Sequence, residues 1–357
     1  MCHIIVNGIF YNSNLTGIER FAHEVVRQLD TFCSPGEVIL LLPADVSQQI
    51  PDFKNIKIKK LPKTPGHKQF NNVKLNIFLF FHKGICIDFT NHIPLVGKNI
   101  VFLHDIYSRV CSNDFYTSAD IALRNKTCKM YSRIARNAKL ICTVSEYSKH
   151  QILEYYSVPE DRIQVIYNGV EHIKNIQEDN RIFEKYPQLQ RGDFYFSLGS
   201  LSVRKNLKWI LEHAQLFPTE FFVVSGTTLV SVVPPELENI HNVKNILCVG
   251  YLSDGEVKAL MKSCKAFIFP SYFEGFGIPP LEALACGVPA IVSKATCLPE
   301  IYEDCVYYID PDNPNIDLNS LLQGVVSPPD KLFARYSYRK AAKRLYKLVR
   351  QMLGEQR

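Results

Sequence analysis

Two glutamates flank a glycine loop in Glu274-Gly-Phe-Gly-Ile-Pro-Pro-Leu-Glu282, and no other stretch of the chain is better equipped for chemistry on an anionic, hydroxyl-rich ligand. Pro279 and Pro280 suit a first helical turn, where no backbone N–H partner is lost. Gly287 can close the short helix Leu281–Cys286 from its C-terminal end. This reading puts Glu282 in the first turn and Glu274 outside the helix, across the loop Gly275–Gly277. Such a loop lets backbone amides and a positive helix end come close to an anion. A carboxylate beside that anion can accept hydrogen bonds from sugar hydroxyls. A nucleotide-sugar joins diphosphate, ribose and hexose in one molecule, and the stretch suits it.

Arg204 and Lys205 fall where a predicted strand, Phe194–Leu198, hands over to a helix containing Leu207–Leu211. Cations in a helix's first turn oppose the macrodipole at about 0.3–1 kcal/mol each. A sequence accepts that conflict more readily where an anion occupies the spot. Arg offers a planar fork to phosphate oxygens, Lys a compact point charge. Alone, the pair reads more readily as solvated surface cations; beside the Glu274–Glu282 loop, a diphosphate is the better account. Glutamates near turns are usually solvated too, but Glu-Gly-Phe-Gly joined to Pro-Pro-x-Glu is too specific for a plain turn. Glu282 then suits the ribose hydroxyls and Glu274 the sugar ring. His104 follows the predicted strand run Asn99–Leu103 and so sits at a carboxyl strand end, the edge where open α/β sheets bind ligands. It is either a satisfied structural histidine or a donor of hydrogen bonds to a sugar or its transition state. The other histidines lack metal spacing and no Asp-x-Asp stands out, so no tightly held metal is expected.

The elements that must position these groups alternate between strand-like and helical runs, which argues for parallel α/β architecture. His3–Asn7, Val38–Leu42, Ile100–Leu103, Leu140–Val144 and Gln164–Tyr167 read as strands of the first half, with helices at Ile18–Leu29, Asp120–Asn137 and Ser145–Tyr155. A second series begins at Phe194 and continues through Phe221–Val224, Asn245–Val249, Ala266–Phe269 and Ala290–Val292. Between them the polar run 171–190 looks like a connection. Each half opens with a strand, a glycine, a loop and a helix start bearing a cation, Arg20 in the first half. Two Rossmann-like domains facing each other across a cleft are therefore expected, spanning residues 1–175 and 190–336. Apolar Ala342, Leu345, Val349 and Leu353 repeat at helical spacing near the end of the chain.

A length of 357 residues fits two domains. The hydrophobic fraction of 46% and charged fraction of 21% are those of an ordinary globular protein. The net charge of +6 hints at anionic partners. The N-terminus lacks a basic region followed by a long apolar core, and the apolar cluster Ile77–Phe81 is too short to span a bilayer. Cysteines are scattered, with no Cys-x-x-Cys pair, so reduced thiols in a cytoplasmic protein are expected. From Phe53 to Ile87 there is no acidic residue, while Lys54, Lys57, Lys59, Lys60, Lys63, Lys68, Lys74 and Lys83 lie among Phe70, Phe78, Phe80 and Phe81. That stretch is either a solvated strand and loop with core phenylalanines or a docking face for anionic lipid. No nucleic-acid-binding motif accompanies it.

Three stretches of the second half resemble family 4 retaining glycosyltransferases of the GT-B fold. They are Leu198-Gly-Ser-Leu-Ser-Val-Arg-Lys-Asn-Leu207, Val249-Gly-Tyr-Leu-Ser-Asp254 and Phe269-Pro-Ser-Tyr-Phe-Glu-Gly-Phe-Gly-Ile-Pro-Pro-Leu-Glu-Ala-Leu-Ala-Cys-Gly-Val-Pro289. Thr16-Gly-Ile-Glu-Arg-Phe21, His104-Asp105, Thr143–Ser148 and Val165–Val170 are similar to the same family, especially its bacterial mannosyl- and rhamnosyltransferases of surface polysaccharide assembly. The resemblance implies transfer of a hexose, mannose first, from a nucleoside diphosphate sugar to a glycan or polyprenyl-diphosphate-linked acceptor in O-antigen or capsule synthesis. It implies that Arg204 and Lys205 hold the diphosphate and Glu282 the ribose. Glu274 with Gly275, Phe276, Gly277 and Ile278 would take the transferred sugar. Tyr251 would lie near the base, Gly17 near the phosphates and His104 near the sugar on the acceptor side. It further implies that a last helix, within 337–357, crosses back to the N-terminal domain, that no cofactor is needed, and that the enzyme works in the cytoplasm, peripheral on the inner membrane. Glu19 stands where relatives often carry a second glycine. The alternatives are a nucleotide-sugar epimerase or phosphorylase on the same scaffold, or a catalytically silent glycan-binding relative.

Overall fold

A computed structural model describes residues 3–62, 70–189, 192–226, 237 and 240–354. Lys63 and Lys68 of the lysine-rich stretch lie outside the described residues. The chain divides into two compact units, residues 1–169 with 336–357, and residues 170–335.

In the first unit seven strands form one sheet: β1 (His3–Asn7), β2 (Val38–Pro43), β3 (Lys57–Leu61), β4 (Gly84–Asp88), β5 (Lys98–Phe102), β6 (Leu140–Thr143) and β7 (Ile163–Val165). Their order is β3-β2-β1-β4-β5-β6-β7, every pair parallel. Strand order reverses between β1 and β4, which makes their carboxyl ends the switch point of this sheet. β1 and β2 are unbroken apolar runs because both sheet faces are covered. On one face the helix Gly17–Asp30 buries Phe21, Ala22, Val25, Val26 and Leu29, spaced to form one stripe. The terminal helix Tyr338–Met352 presents Tyr338, Ala341, Ala342, Leu345 and Val349 to the same core. Arg344 Nε donates to the Val165 carbonyl at 3.0 Å, and Arg350 pairs with Glu37 at 2.8 Å.

The second unit repeats the plan with β8 (Tyr195–Leu198), β9 (Phe222–Ser225), β10 (Ile246–Gly250), β11 (Ala266–Phe269), β12 (Ala290–Ser293) and β13 (Tyr307–Ile309), in the order β10-β9-β8-β11-β12-β13. Here the switch point lies between β8 and β11. Residues 171–189, polar in sequence, fold with this unit and include the short helices His172–Asn175 and Arg181–Lys185. Lys258 Nζ anchors the first of these by donating to the carbonyls of Ile173 at 2.9 Å and Ile176 at 2.7 Å.

Three strands escaped the pattern reading. β3 has four exposed residues, three of them lysines, so it shows no apolar run; lysines on an edge strand also guard it against pairing with other chains. β4 is short and follows a helical apolar cluster without a turn signal, and β13 has only three residues. The stretch 53–87 is therefore not one strand and loop. It holds edge strand β3, the helix Leu75–Phe81 and the buried strand β4. No described helix is long and apolar enough to cross a membrane.

Candidate functional site

The second unit gathers its chemistry at the β8/β11 switch point. After β8 the chain makes a one-turn 3-10 helix, Val203–Lys205, and Asn206 adopts a left-handed conformation, φ 52°, before the helix Leu207–Leu216. Arg204 and Lys205 therefore stand ahead of that helix rather than in its first turn, which corrects the sequence expectation. Asn206, buried, donates from Nδ2 to the carbonyls of Pro270 at 3.1 Å and Pro311 at 2.9 Å. The Arg204 carbonyl accepts from the Tyr272 N–H at 2.8 Å. These bonds clip the turn after β8 to the loops after β11 and β13.

That clip brings the cations onto Glu274. Lys205 Nζ is 2.6 Å from Glu274 Oε1, and Arg204 Nη1 is 3.5 Å from Oε2. Glu274 is buried. Burial pushes its carboxyl upward, but Lys205 and Arg204 outweigh that, and the net pKa lies below the usual carboxylate range. The Glu274 N–H donates to Thr296 Oγ1 at 3.2 Å, and Cys297 donates from Sγ to the Glu274 carbonyl at 3.2 Å. Lys205 also sits over the Phe269 ring, 4.8 Å from its centre. The carboxylate is fixed and ionised, with Lys205 on one oxygen and Arg204 on the other.

The glycine loop then turns into the helix Ile278–Ala285. Gly277 is its N-cap at φ 81°, a conformation costly for any residue with a Cβ; a Cβ there would also come within 2.7 Å of Leu298 Cδ2. Tyr302 donates from its hydroxyl to the Gly277 carbonyl. Phe276 is buried beneath the loop. The two prolines occupy the first turn, as expected, but the helix starts at Ile278, three residues before the predicted Leu281. Glu282 accordingly lies in the second turn, not the first. Gly287, at φ 78°, ends the helix as expected.

Glu282 has a partner that sequence reasoning missed. His172 Nε2 lies 2.6 Å from Glu282 Oε1, and both side chains are buried. The histidine orients the carboxylate from the helix that Lys258 anchors. In sequence it is a lone His in a polar run, two residues beyond Val165–Val170, and carries no spacing signal. Tyr251, 73% exposed, follows Gly250 at the carboxyl end of edge strand β10, with an open aromatic face. Arg204, Lys205, Glu274, Gly275, Phe276, Gly277, Ile278 and Glu282 thus lie on the loop and helix starts at the carboxyl ends of β8 and β11, while Tyr251 lies at the end of β10.

In the first unit Gly17 opens the helix Gly17–Asp30. Glu19 folds back, accepting from the Thr16 N–H at 3.2 Å and from its hydroxyl. The residue that replaces a second glycine is therefore a helix cap. His104 is buried against Phe21 and Phe102. Burial pushes its pKa down to about 4, against the raising influence of its bond to Phe89 and of Asp105. His104 Nε2 lies 3.0 Å from the Phe89 carbonyl, which can only accept, so the proton sits on Nε2. The neutral ring then offers Nδ1 as an acceptor. The expectation that His104 donates to a sugar is corrected: its donor is committed to Phe89.

All described cysteines are free thiols, some buried and some half-buried. Among the described residues no His, Cys, Asp or Glu cluster could hold a metal ion.

Comparison with known proteins bears on both units. Residues 178–328 match the family model described as glycosyl transferases group 1, and residues 85–173 match that of glycosyltransferase family 4. The chain is 26% identical to O-antigen chain mannosyltransferase B of Escherichia coli, over 87% of each chain. It is 24% identical to an O-antigen chain mannosyltransferase of Salmonella typhimurium, over 78% of this chain and 75% of the other. A sucrose-phosphate synthase from Thermosynechococcus elongatus superimposes with a TM-score of 0.73 over 100% of both chains at 14% identity, a likeness of fold alone. With two Rossmann-like units, both family matches and these relatives, the chain belongs to the glycosyltransferases of the GT-B fold, with a family 4 N-terminal domain and a group 1 C-terminal domain.

Proposed function

We propose that this glycosyltransferase moves mannose, with retention of configuration, from GDP-mannose to a glycan on a polyprenyl-diphosphate lipid during O-antigen or capsule assembly. The observation that carries the reading is the clipped turn and loop of the second unit. There Lys205 at 2.6 Å and Arg204 at 3.5 Å bracket an ionised, buried Glu274. The two cations are the natural seat of a diphosphate, Glu274 of the sugar hydroxyls, and the His172-held Glu282 of the ribose. Tyr251 offers a face for the base, and in the first unit Gly17 opens a helix whose N-terminus suits an anion. Charge on the leaving diphosphate is met by preorganised side chains, so neither a cofactor nor a resident metal forms part of the proposal. In the first unit His104 serves the acceptor side as a hydrogen-bond acceptor. The mannosyl assignment is supported by the two O-antigen relatives, and GDP-fucose, dTDP-rhamnose and UDP-sugars rank behind GDP-mannose.

Docking on the cytoplasmic face of the membrane belongs to the same proposal. Ile77, Phe80 and Phe81 are 52%, 71% and 74% exposed on the helix Leu75–Phe81, a costly display of apolar surface in water. Lys57, Lys59, Lys60 and Lys83 are exposed nearby in sequence, and Lys59 sits over Phe78, 4.7 Å from its centre. Exposed apolar side chains in a lysine-rich stretch suit the surface of an anionic bilayer.

A thermal-shift panel of nucleotide-sugars tests the donor. A ligand present at 100 times its Kd adds about 2.7 kcal/mol of stability. GDP-mannose is expected to give the largest shift, and a panel in which another nucleotide-sugar leads would replace it.

A further inference from the structure

The exposed helix Leu75–Phe81 is wired to the interior of the first unit by a chain of amide side chains. Asn76 lies on that helix and is buried; its Oδ1 accepts from the N–H groups of Leu95 at 2.6 Å and Val96 at 3.2 Å. Its Nδ2 donates to the Asn71 carbonyl at 3.0 Å. Asn71 Oδ1 accepts from Asn7 Nδ2 at 3.1 Å, and the same Asn7 Nδ2 donates to Asp88 Oδ2 at 2.5 Å. Asn7 and Asp88 are fully buried and end β1 and β4, the two strands of the switch point. Asp88 Oδ1 in turn accepts from the Thr90 N–H and hydroxyl and from the His92 N–H. His104 holds the Phe89 carbonyl. Both ends of the loop 88–96 are therefore fastened to one network, one end through Asp88 and the other through Asn76.

Two observations say what that loop is for. It leaves β4 at the carboxyl edge, where sheets of this kind bind ligands. It also presents Asn91 at φ 56°, with a buried side-chain oxygen that has no hydrogen-bond partner among the described residues. A buried unpaired oxygen costs about 1–3 kcal/mol, which a ligand hydroxyl would remove. At its other end Leu95 is 68% exposed, and its N–H donates to Asn76 of the helix that bears the exposed Ile77, Phe80 and Phe81. One short loop thus joins a ligand edge to a lipid-facing surface.

We infer that Asn71 and Asn76 are positioning residues that couple bilayer docking to the acceptor loop 88–96. Insertion of Ile77, Phe80, Phe81 and Leu95 into an anionic lipid surface restrains the helix and Leu95 together. The network carries that restraint to Thr90, Asn91 and His92, because the members of a buried hydrogen-bonded network hold one another in a single arrangement. The loop, already tied at both ends, is then held more firmly at the surface where a lipid-borne hydroxyl arrives, which favours acceptors carried on lipid over the same glycan in solution. This inference rests on the docking reading above.

Hydrogen–deuterium exchange distinguishes the two. The full chain is mixed with vesicles of phosphatidylglycerol and phosphatidylcholine, or of phosphatidylcholine alone, and binding is followed by co-sedimentation. With anionic vesicles, exchange is expected to slow about tenfold both in 73–83 and in 88–96. Asn76→Ala and Asn71→Ala are expected to sediment with the same vesicles and keep the protection of 73–83, yet lose that of 88–96. Two separate variants guard against a folding defect in either, and unchanged far-ultraviolet circular dichroism identifies a folded one. If the wild-type chain binds and 88–96 does not respond, or if both folded variants keep that response, the coupling is overturned while docking stands. If the chain ignores anionic vesicles, docking fails and the coupling with it.

Discussion

Lys205→Ala is expected to lower kcat by about 10²–10³, the loss typical of removing one preorganised donor from a developing anion, or about 2.7–4 kcal/mol. The same substitution should leave a second signature, in stability. In the wild type Glu274 has a depressed pKa, so it contributes stability above the ordinary carboxylate range that is lost as pH falls through the depressed value. Burial raises the Glu274 pKa and Lys205 is the largest of the influences that oppose it, so without Lys205 the pKa rises relative to the wild type. A carboxyl whose pKa is less depressed contributes less of this stability, so the wild type gains on the variant as pH rises. The difference in Tm between wild type and variant should therefore widen from about pH 4 to pH 7. Arg204 remains at 3.5 Å and limits the effect without cancelling it. Turnover near the wild-type rate, with a Tm difference independent of pH, would remove Lys205 from the site.

Glu274→Gln should separate two roles that the wild type combines. Without a ligand, Glu274 is the partner of both cations, so a diphosphate has to share them with a carboxylate. Glutamine keeps the shape and removes the charge. Bare GDP is then expected to bind about 5- to 150-fold more tightly, a coupling of about 1–3 kcal/mol between two claimants on one cationic pair. Turnover should fall about 10²-fold, because the sugar loses a charged acceptor that fixes its position. Calorimetric titration with GDP and steady-state rates on the same preparation measure both. Weaker GDP binding together with slower turnover would make Glu274 a structural prop for the cations and not a ligand for sugar.

Much of this arrangement was legible in the residues themselves. Unbroken apolar runs such as Val38–Leu42 and Ala266–Phe269 identify buried parallel strands, and Arg204, Lys205 and Glu274 come together across the switch point that such a sheet creates. What stayed hidden depends on geometry that composition does not encode. The left-handed Asn206 separates the cations from the following helix, and the helix after the glycine loop begins at Ile278, three residues earlier than Leu281. His172 reaches Glu282 from a segment whose polarity resembled a linker. β3 escaped because an edge strand carries lysines where a central strand would carry valines. His104 was found by its place at a strand end, but its hydrogen-bond polarity is set by the Phe89 carbonyl, which no spacing announces.

The central claim is sugar transfer with retention, and one reaction tests it most directly. The enzyme is incubated with GDP-mannose and a polyprenyl-diphosphate-linked glycan, free GDP is followed over time, and the new linkage is read from the anomeric proton resonance of the product. GDP release that depends on the acceptor, with a product keeping the donor's anomeric configuration, is the predicted result. GDP release that is indifferent to the acceptor, or a product of inverted configuration, would contradict it.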